Sequence, residues 1–168
     1  MTIAIGDQVP DVKVFTFGDK GPEATTSAEV LGHGKVVLFG VPGAFTPTCS
    51  DHHLPGFVMR AEELRAKGAD KVVCVSVNDP FVMGAWGREQ GAGGKVRMMA
   101  DGSGLYSRAL GLEMDLIARG LGVRSQRYSM LVDDGVVKVL NVEEPGKFEA
   151  SSAEKLLEQA EKVTNFIP

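Results

Sequence analysis

Two short runs rich in β-branched residues, Lys35–Val41 (KVVLFGV) and Lys71–Val77 (KVVCVSV), constrain the fold of this chain more than any other feature. A near-continuous apolar run of this length is what a strand covered on both faces requires, and such strands belong to parallel sheets. Between the runs Leu54, Phe57, Val58, Ala61 and Leu64 recur at helical spacing, and Lys67-Gly68 ends the pattern. The segment therefore predicts a βαβ unit with a right-handed crossover.

The rest of the chain extends this alternation. Val12–Phe17 alternates like a strand, and Asn78-Asp79-Pro80 places a capping side chain before a proline at the first helical position. Phe81, Val82, Ala85 and Trp86 form the buried stripe expected of that helix. Val96–Ala100 reads as a short strand and Leu105–Leu110 as a short helix closed by Gly111. Tyr128–Val132 and Val136–Val142 read as a hairpin around Asp133-Asp134-Gly135. Ser151-Ser152-Ala153-Glu154 predicts a capping box for a last helix running to about Val163. The sum is an α/β chain with a mixed central sheet flanked by helices, similar to a thioredoxin-like fold with extra N-terminal strands and inserted elements. Its 168 residues suit one domain, 1–168, and 43% hydrophobic residues supply a core.

Charge and targeting narrow the partners. The formal net charge is −4 with both signs spread along the chain, which argues against a nucleic-acid or anionic-membrane surface. The N-terminus MTIAIGDQVPDVKV lacks a cationic region followed by a long apolar run, and VVLFGVPGAF is too short to span a bilayer. A cytoplasmic protein is expected, with an organelle as the alternative if a transit peptide has been removed. Two cysteines, Cys49 and Cys74, do not make a secreted disulfide framework.

Cys49 stands just beyond the C-terminal end of a predicted central strand, after the turn-rich run Val41–Thr48, and at the start of a helix, where an exposed position is expected. Ligands bind outside strand carboxyl ends in such sheets, and a helix N-terminus favours the anionic sulfur. An ordinary thiol with a pKa of ~8.5 is about 3% ionised at pH 7, so complete ionisation gains roughly 30-fold, about 2 kcal/mol. That gain alone makes no efficient catalyst. The remainder calls for donors that hold a substrate oxygen and stabilise departing charge: an arginine, a hydroxyl and backbone amides. Thr46, three residues before Cys49, supplies the hydroxyl, and Pro42 and Pro47 stiffen the loop.

The run Pro42-Gly43-Ala44-Phe45-Thr46-Pro47-Thr48-Cys49 resembles the peroxiredoxin signature, in which a proline, a threonine and the peroxidatic cysteine follow in that order. The wider VPGAFTPTCS, the later CVSVNDPFVM and RYSMLVDDG are similar to the type II (peroxiredoxin V-like) subfamily, over essentially the whole chain. The resemblance implies a thiol peroxidase acting on hydrogen peroxide and alkyl hydroperoxides through Cys49, with no cofactor and no metal. It implies that Pro42, Thr46, Cys49 and Arg127 form the catalytic set, and that Thr46, Cys49 and Arg127 bind the peroxide. Arg124, three residues earlier, is the competing arginine.

Cys74 separates subtypes. Its spacing from Cys49 resembles plant-type members, whereas the animal type V pattern has a resolving cysteine where this chain reads KFEASSAEKLL. Cys74 lies mid-strand, so its Cα is expected more than ~7 Å from that of Cys49, and a direct disulfide would need local unfolding. The Cys49 sulfenic acid is thus expected to be resolved by an external thiol, which the resemblance identifies as glutathione with glutaredoxin, or thioredoxin. A Cys49–Cys74 disulfide is the second route, and Cys74 as a plain core residue is the bland reading.

Other features are weighed against simpler roles. Cys49, His52 and His53 share a helical face, but Pro55 disturbs the turn and a metal would block the sulfur, so His53 is read as a polar neighbour of the site and His33 as a solvated loop residue. Gly91–Lys95 lacks the full phosphate-loop pattern and Gly102-Ser103-Gly104 is not a nucleophile elbow. Phe45, Pro80, Phe81 and Trp86 are either ordinary core or a homodimer interface that supports the Cys49 loop, the latter by similarity to type II enzymes. Two rival functions remain. A thioredoxin-like disulfide reductase would need a Cys-x-x-Cys pair, and Thr46 occupies the first cysteine's place. A non-enzymatic peroxide sensor would use Cys49 oxidation as a switch.

Overall fold

The two β-branched runs pair with each other. In the computed structural model, which describes residues 1–162, β3 (Lys35–Val41) and β4 (Lys71–Ser76) are parallel, with Phe39 opposite Cys74. They form the centre of a seven-stranded mixed sheet with β1 (Lys13–Gly18), β2 (Gly21–Thr26), β5 (Arg97–Ala100), β8 (Tyr128–Asp133) and β9 (Val136–Val142). The order across it is β2-β1-β5-β4-β3-β8-β9. β5 runs parallel to β4, and β8 runs antiparallel to β3. Both faces are covered, so the central strands are apolar throughout.

One face packs under α2 (Leu54–Ala66), α3 (Pro80–Glu89) and α5 (Ala153–Ala160), where Phe39, Leu54, Phe57, Cys74, Met83, Trp86 and Leu156 share a buried cluster. The other face buries Leu38, Val73, Val75, Met99, Tyr106, Leu110 and Tyr128 under α1 (Ser27–Leu31) and α4 (Leu105–Leu110). Close approach explains Gly40 in β3: a Cβ there would meet the Tyr128 ring at 2.2 Å. The hairpin between β8 and β9 turns on Asp134 and Gly135, at φ of 47° and 85°, the positive pair a two-residue turn demands.

The expected elements are present within a residue or two, with corrections. Phe81 is exposed, not part of the buried stripe, because α3 turns Met83, Trp86 and Gly87 inward. Ser152, whose hydroxyl accepts from the Lys155 N–H, caps α5; Glu154 turns instead to Arg60, so no capping box closes. The predicted end of that helix at Val163 lies outside the described residues. Not anticipated were β2, α1, and a small hairpin of β6 (Glu113–Leu116) and β7 (Gly122–Ser125).

Candidate active site

Cys49 sits where β3 hands over to the helical layer. The loop after Val41 includes Phe45 at φ 64°, a left-handed conformation that costs a bulky residue roughly 1–3 kcal/mol and persists only where its surroundings enforce it. Enforcement comes from β4's far end: Asn78 Oδ1 accepts from the Ala44 N–H at 2.9 Å and from the Ser76 hydroxyl. Arg124 braces the same loop, donating through Nη1 to the Pro42 carbonyl at 3.3 Å and through Nε to the Leu121 carbonyl at 2.7 Å. Its guanidinium is thus engaged with backbone.

The backbone becomes helical at Pro47, and residues Cys49–His53 form a π turn closed by the Leu54 N–H on the Cys49 carbonyl. Pro55 has no N–H to offer the preceding turn, and the wider winding stops there as α2 begins. The turn separates the two histidines. His52 is exposed, while His53 is 0% exposed and packs between Phe39, Phe57 and Phe148. The shared face that would suit a metal does not exist, and no group of three metal-ligating side chains occurs among the described residues. Ser50 accepts from Trp86 Nε1 at 3.0 Å, anchoring the turn to α3.

Cys49 is itself 0% exposed, which corrects the expectation of an exposed thiol. It is not isolated from charge. Arg127, immediately before β8, donates from Nη2 to the Cys49 sulfur at 3.2 Å. The distant arginine and the sulfur are therefore brought together by the antiparallel β3–β8 pair. The second guanidinium nitrogen, Nη1, lies 2.9 Å from His53 Nδ1, and His53 Nε2 lies 2.9 Å from the Ser151 carbonyl. A carbonyl only accepts, so the proton is on Nε2 and Nδ1 accepts from Arg127. Burial, then the adjacent Arg127 charge, lower the His53 pKa to about 3 against the help of the Ser151 carbonyl, and the ring is neutral at physiological pH.

Thr46 Oγ1 donates to the Gly43 carbonyl at 2.6 Å. Its proton is spent, so toward a substrate the oxygen is an acceptor, unlike the donor role expected from sequence. Pro42, Thr46, Pro47, Thr48 and Arg127 line one side of a cavity of about 620 Å³; Met114, Leu116, Leu121 and Pro145 give its other side an apolar character. The β6–β7 hairpin and the turn after β9 thus shape the entrance, and no sequence signal had marked them.

Cys74 is fully buried in mid-β4 and is a free thiol, as is Cys49. Burial pushes the Cys74 thiol well up, the Cys49 charge adds to this, and Arg127 opposes it. Cys74 is thus a poor nucleophile at neutral pH.

Residues 4–157 match the Redoxin family model. The chain is 54% identical over 156 residues to peroxiredoxin-2B of Arabidopsis thaliana, covering 92% of this chain and 96% of that one. The chain belongs to the peroxiredoxin family. Peroxiredoxin-2E-2, chloroplastic, of Oryza sativa subsp. japonica is 55% identical over 161 residues, covering 93% of this chain and 72% of its own length. The crystal structure of reduced Prx3 from Vibrio vulnificus in complex with hydrogen peroxide superposes with a TM-score of 0.90 at 48% identity, covering 95% of this chain and 99% of that one. The type II resemblance and the thioredoxin-like peroxiredoxin fold are thereby borne out, and the chain is a thiol-dependent peroxidase. No described helix is long and apolar enough to cross a membrane.

Proposed function

We propose that Cys49 is the peroxidatic nucleophile and that Arg127, Thr46 and the Pro42 loop hold the peroxide against it. The Arg127–Cys49 contact at 3.2 Å carries this reading, because a guanidinium at that distance stabilises the thiolate and then the transition state. A peroxide entering from the cavity gives its O–H to Thr46 Oγ1, while Arg127 donates to its oxygens. The thiolate attacks the nearer oxygen along the O–O axis. An S–O bond forms, the O–O bond breaks, and the departing hydroxide or alkoxide leaves as water or alcohol after taking from solvent the proton that the thiol released on ionising; Cys49 becomes the sulfenic acid. Because the sulfur is 0% exposed, side chains between it and the cavity shift to admit the peroxide. The apolar cavity wall suits the alkyl part of an organic hydroperoxide as well as hydrogen peroxide itself.

The sulfenic acid is reduced by an external thiol, glutathione with glutaredoxin or thioredoxin, since Cys74 is buried, protonated and held in the ladder between β3 and β5. One external thiol condenses with the sulfenic acid to give a mixed disulfide and water, and a second thiol releases Cys49. Two copies of the chain associate through the exposed Phe45 and Phe81, 51% and 63% accessible beside Phe17 and the buried Trp86. The cytoplasm, where thiols stay reduced, is the proposed compartment. A steady-state assay of hydroperoxide consumption tests the cycle: turnover with glutaredoxin and glutathione or with thioredoxin is expected, and a single stoichiometric reaction with neither would make Cys49 a sensor.

A further inference from the structure

The arginine that touches the sulfur is held by a histidine, and the histidine is held by a strap with a buried anion at its root. The strap is the segment 143–152, between β9 and α5. Glu143 is only 7% exposed and has no cationic partner among the described residues. One of its oxygens, Oε2, instead accepts four hydrogen bonds: from the N–H groups of Glu149, Ala150 and Ser151, each at 2.8 Å, and from the Ser151 hydroxyl at 2.7 Å. Burial opposes the charge, but these donors outweigh it and keep the carboxyl below its usual range. Three consecutive backbone amides on one oxygen fix the peptide planes up to the Ala150–Ser151 bond, and the Ser151 hydroxyl on the same oxygen helps hold Ser151, whose own carbonyl receives the His53 Nε2 proton. The same strap carries Phe148, whose ring lies against His53 at 5.0 Å and under the Arg127 guanidinium at 5.9 Å. Glu143 is tied directly to the arginine as well, its N–H donating to the Arg127 carbonyl at 2.9 Å.

We infer that Glu143 is a positioning residue for the peroxide step, holding the strap so that Ser151 and His53 aim Arg127 at Cys49. The inference rests on the proposed roles of Cys49 and Arg127. Its logic is that of outer-shell partners elsewhere: a group that orients the orienting residue is felt at the reacting atom through that residue. With the carboxylate gone, three amides lose their acceptor, the turn relaxes, and the Ser151 carbonyl leaves His53. Water and protons then reach the imidazole, which is otherwise enclosed by Phe39, Phe57 and Phe148; among the described residues the charged group against it is Arg127. A protonated His53 presents a donor to Arg127 Nη1 and repels it, so the guanidinium swings from the sulfur.

The experiment measures two quantities on the full chain with Glu143→Ala and Glu143→Gln. The first is the stopped-flow rate of Cys49 oxidation by hydrogen peroxide, followed through the fluorescence of Trp86. The second is the NMR titration of the His53 ring in the reduced protein, which needs no peroxide. Glu143→Ala is expected to slow oxidation roughly 10-fold at pH 7, and His53, silent above pH 5 in the parent, is expected to titrate in the range of an ordinary imidazole. Glu143→Gln, which keeps an acceptor oxygen but no charge, should move both readouts in the same direction by less, and it decides the matter if the alanine variant does not fold. Folded variants that react at the parent rate overturn the inference. So does a slowed reaction with His53 still silent, because the loss would then not run through the histidine. If the parent protein fails to react with peroxide, the proposed function falls, and the His53 titration still judges the role of Glu143.

Discussion

Arg127 and His53 share a single hydrogen bond, Nη1 to Nδ1 at 2.9 Å, in which the guanidinium donates and only a neutral imidazole can receive. The arginine's other terminal nitrogen is thereby directed at the Cys49 sulfur. A residue with five donors and a flexible stem is reduced to one useful pose.

The two arginines near the loop should separate cleanly on mutation. Arg127→Ala removes the donor at the reacting atom and is expected to slow Cys49 oxidation by roughly 10²–10³-fold. Arg124→Ala frees only the Pro42 and Leu121 carbonyls and should cost less than a tenth of that loss. Rapid-mixing kinetics on both variants check the order, and a larger effect at Arg124 would reverse the assignment.

Stability should fall on acidification through His53. His53 has a folded pKa of about 3 against 6.5 in the unfolded chain, so between those values the unfolded state binds a proton that the folded state refuses. Its full contribution is present above pH 6.5 and is lost as pH falls, by about 2 kcal/mol at pH 5. Urea unfolding at pH 7 and pH 5 measures this, and His53→Gln should remove most of the difference. Glu143 acts in the same direction only at lower pH: its carboxyl is depressed below 4.5, so its stabilisation is lost below that value.

Cys74→Ser should leave the first oxidation step unchanged, because the thiol is buried among Phe39 and its neighbours and kept protonated. Mass spectrometry of the peroxide-treated parent should show no Cys49–Cys74 crosslink. A stable loss of two hydrogens joining the two peptides would establish the intramolecular route instead.

Phe81→Glu should convert the proposed dimer to monomers in sedimentation velocity, since this ring is 63% exposed and packs edge-on against Phe17. A parent chain that sediments as a monomer at every concentration would contradict the interface.

How much of this was legible in advance follows from physics more than from length. The βαβ centre was readable because β3 and β4 are covered on both faces and so carry unbroken apolar runs. β2 (GPEATT) was not, since its exposed edge position leaves no buried pattern and it includes Pro22. The β6–β7 hairpin was missed for a similar reason: its strands have four residues each and are mostly half-exposed. At the site, Pro42, Thr46 and Cys49 form one contiguous run, whereas Arg127 could be placed only by resemblance, its partner lying 78 residues away. Sequence placed the thiol in the open, because a helix start reads as exposed; here that start is a π turn whose first residue packs into the core cluster with Leu54 and Phe57. Nothing local marked Glu143, whose partners are backbone amides and leave no side-chain pattern.

The most direct test of the account is a single-turnover oxidation of the reduced protein with one equivalent of hydrogen peroxide, read by mass spectrometry with a sulfenic-acid trap. The account predicts one oxygen atom added at Cys49 in the parent, with Cys74 unmodified, and no consumption of peroxide by Cys49→Ser. Peroxide consumption that persists in Cys49→Ser, or oxidation that appears first at Cys74, would contradict it.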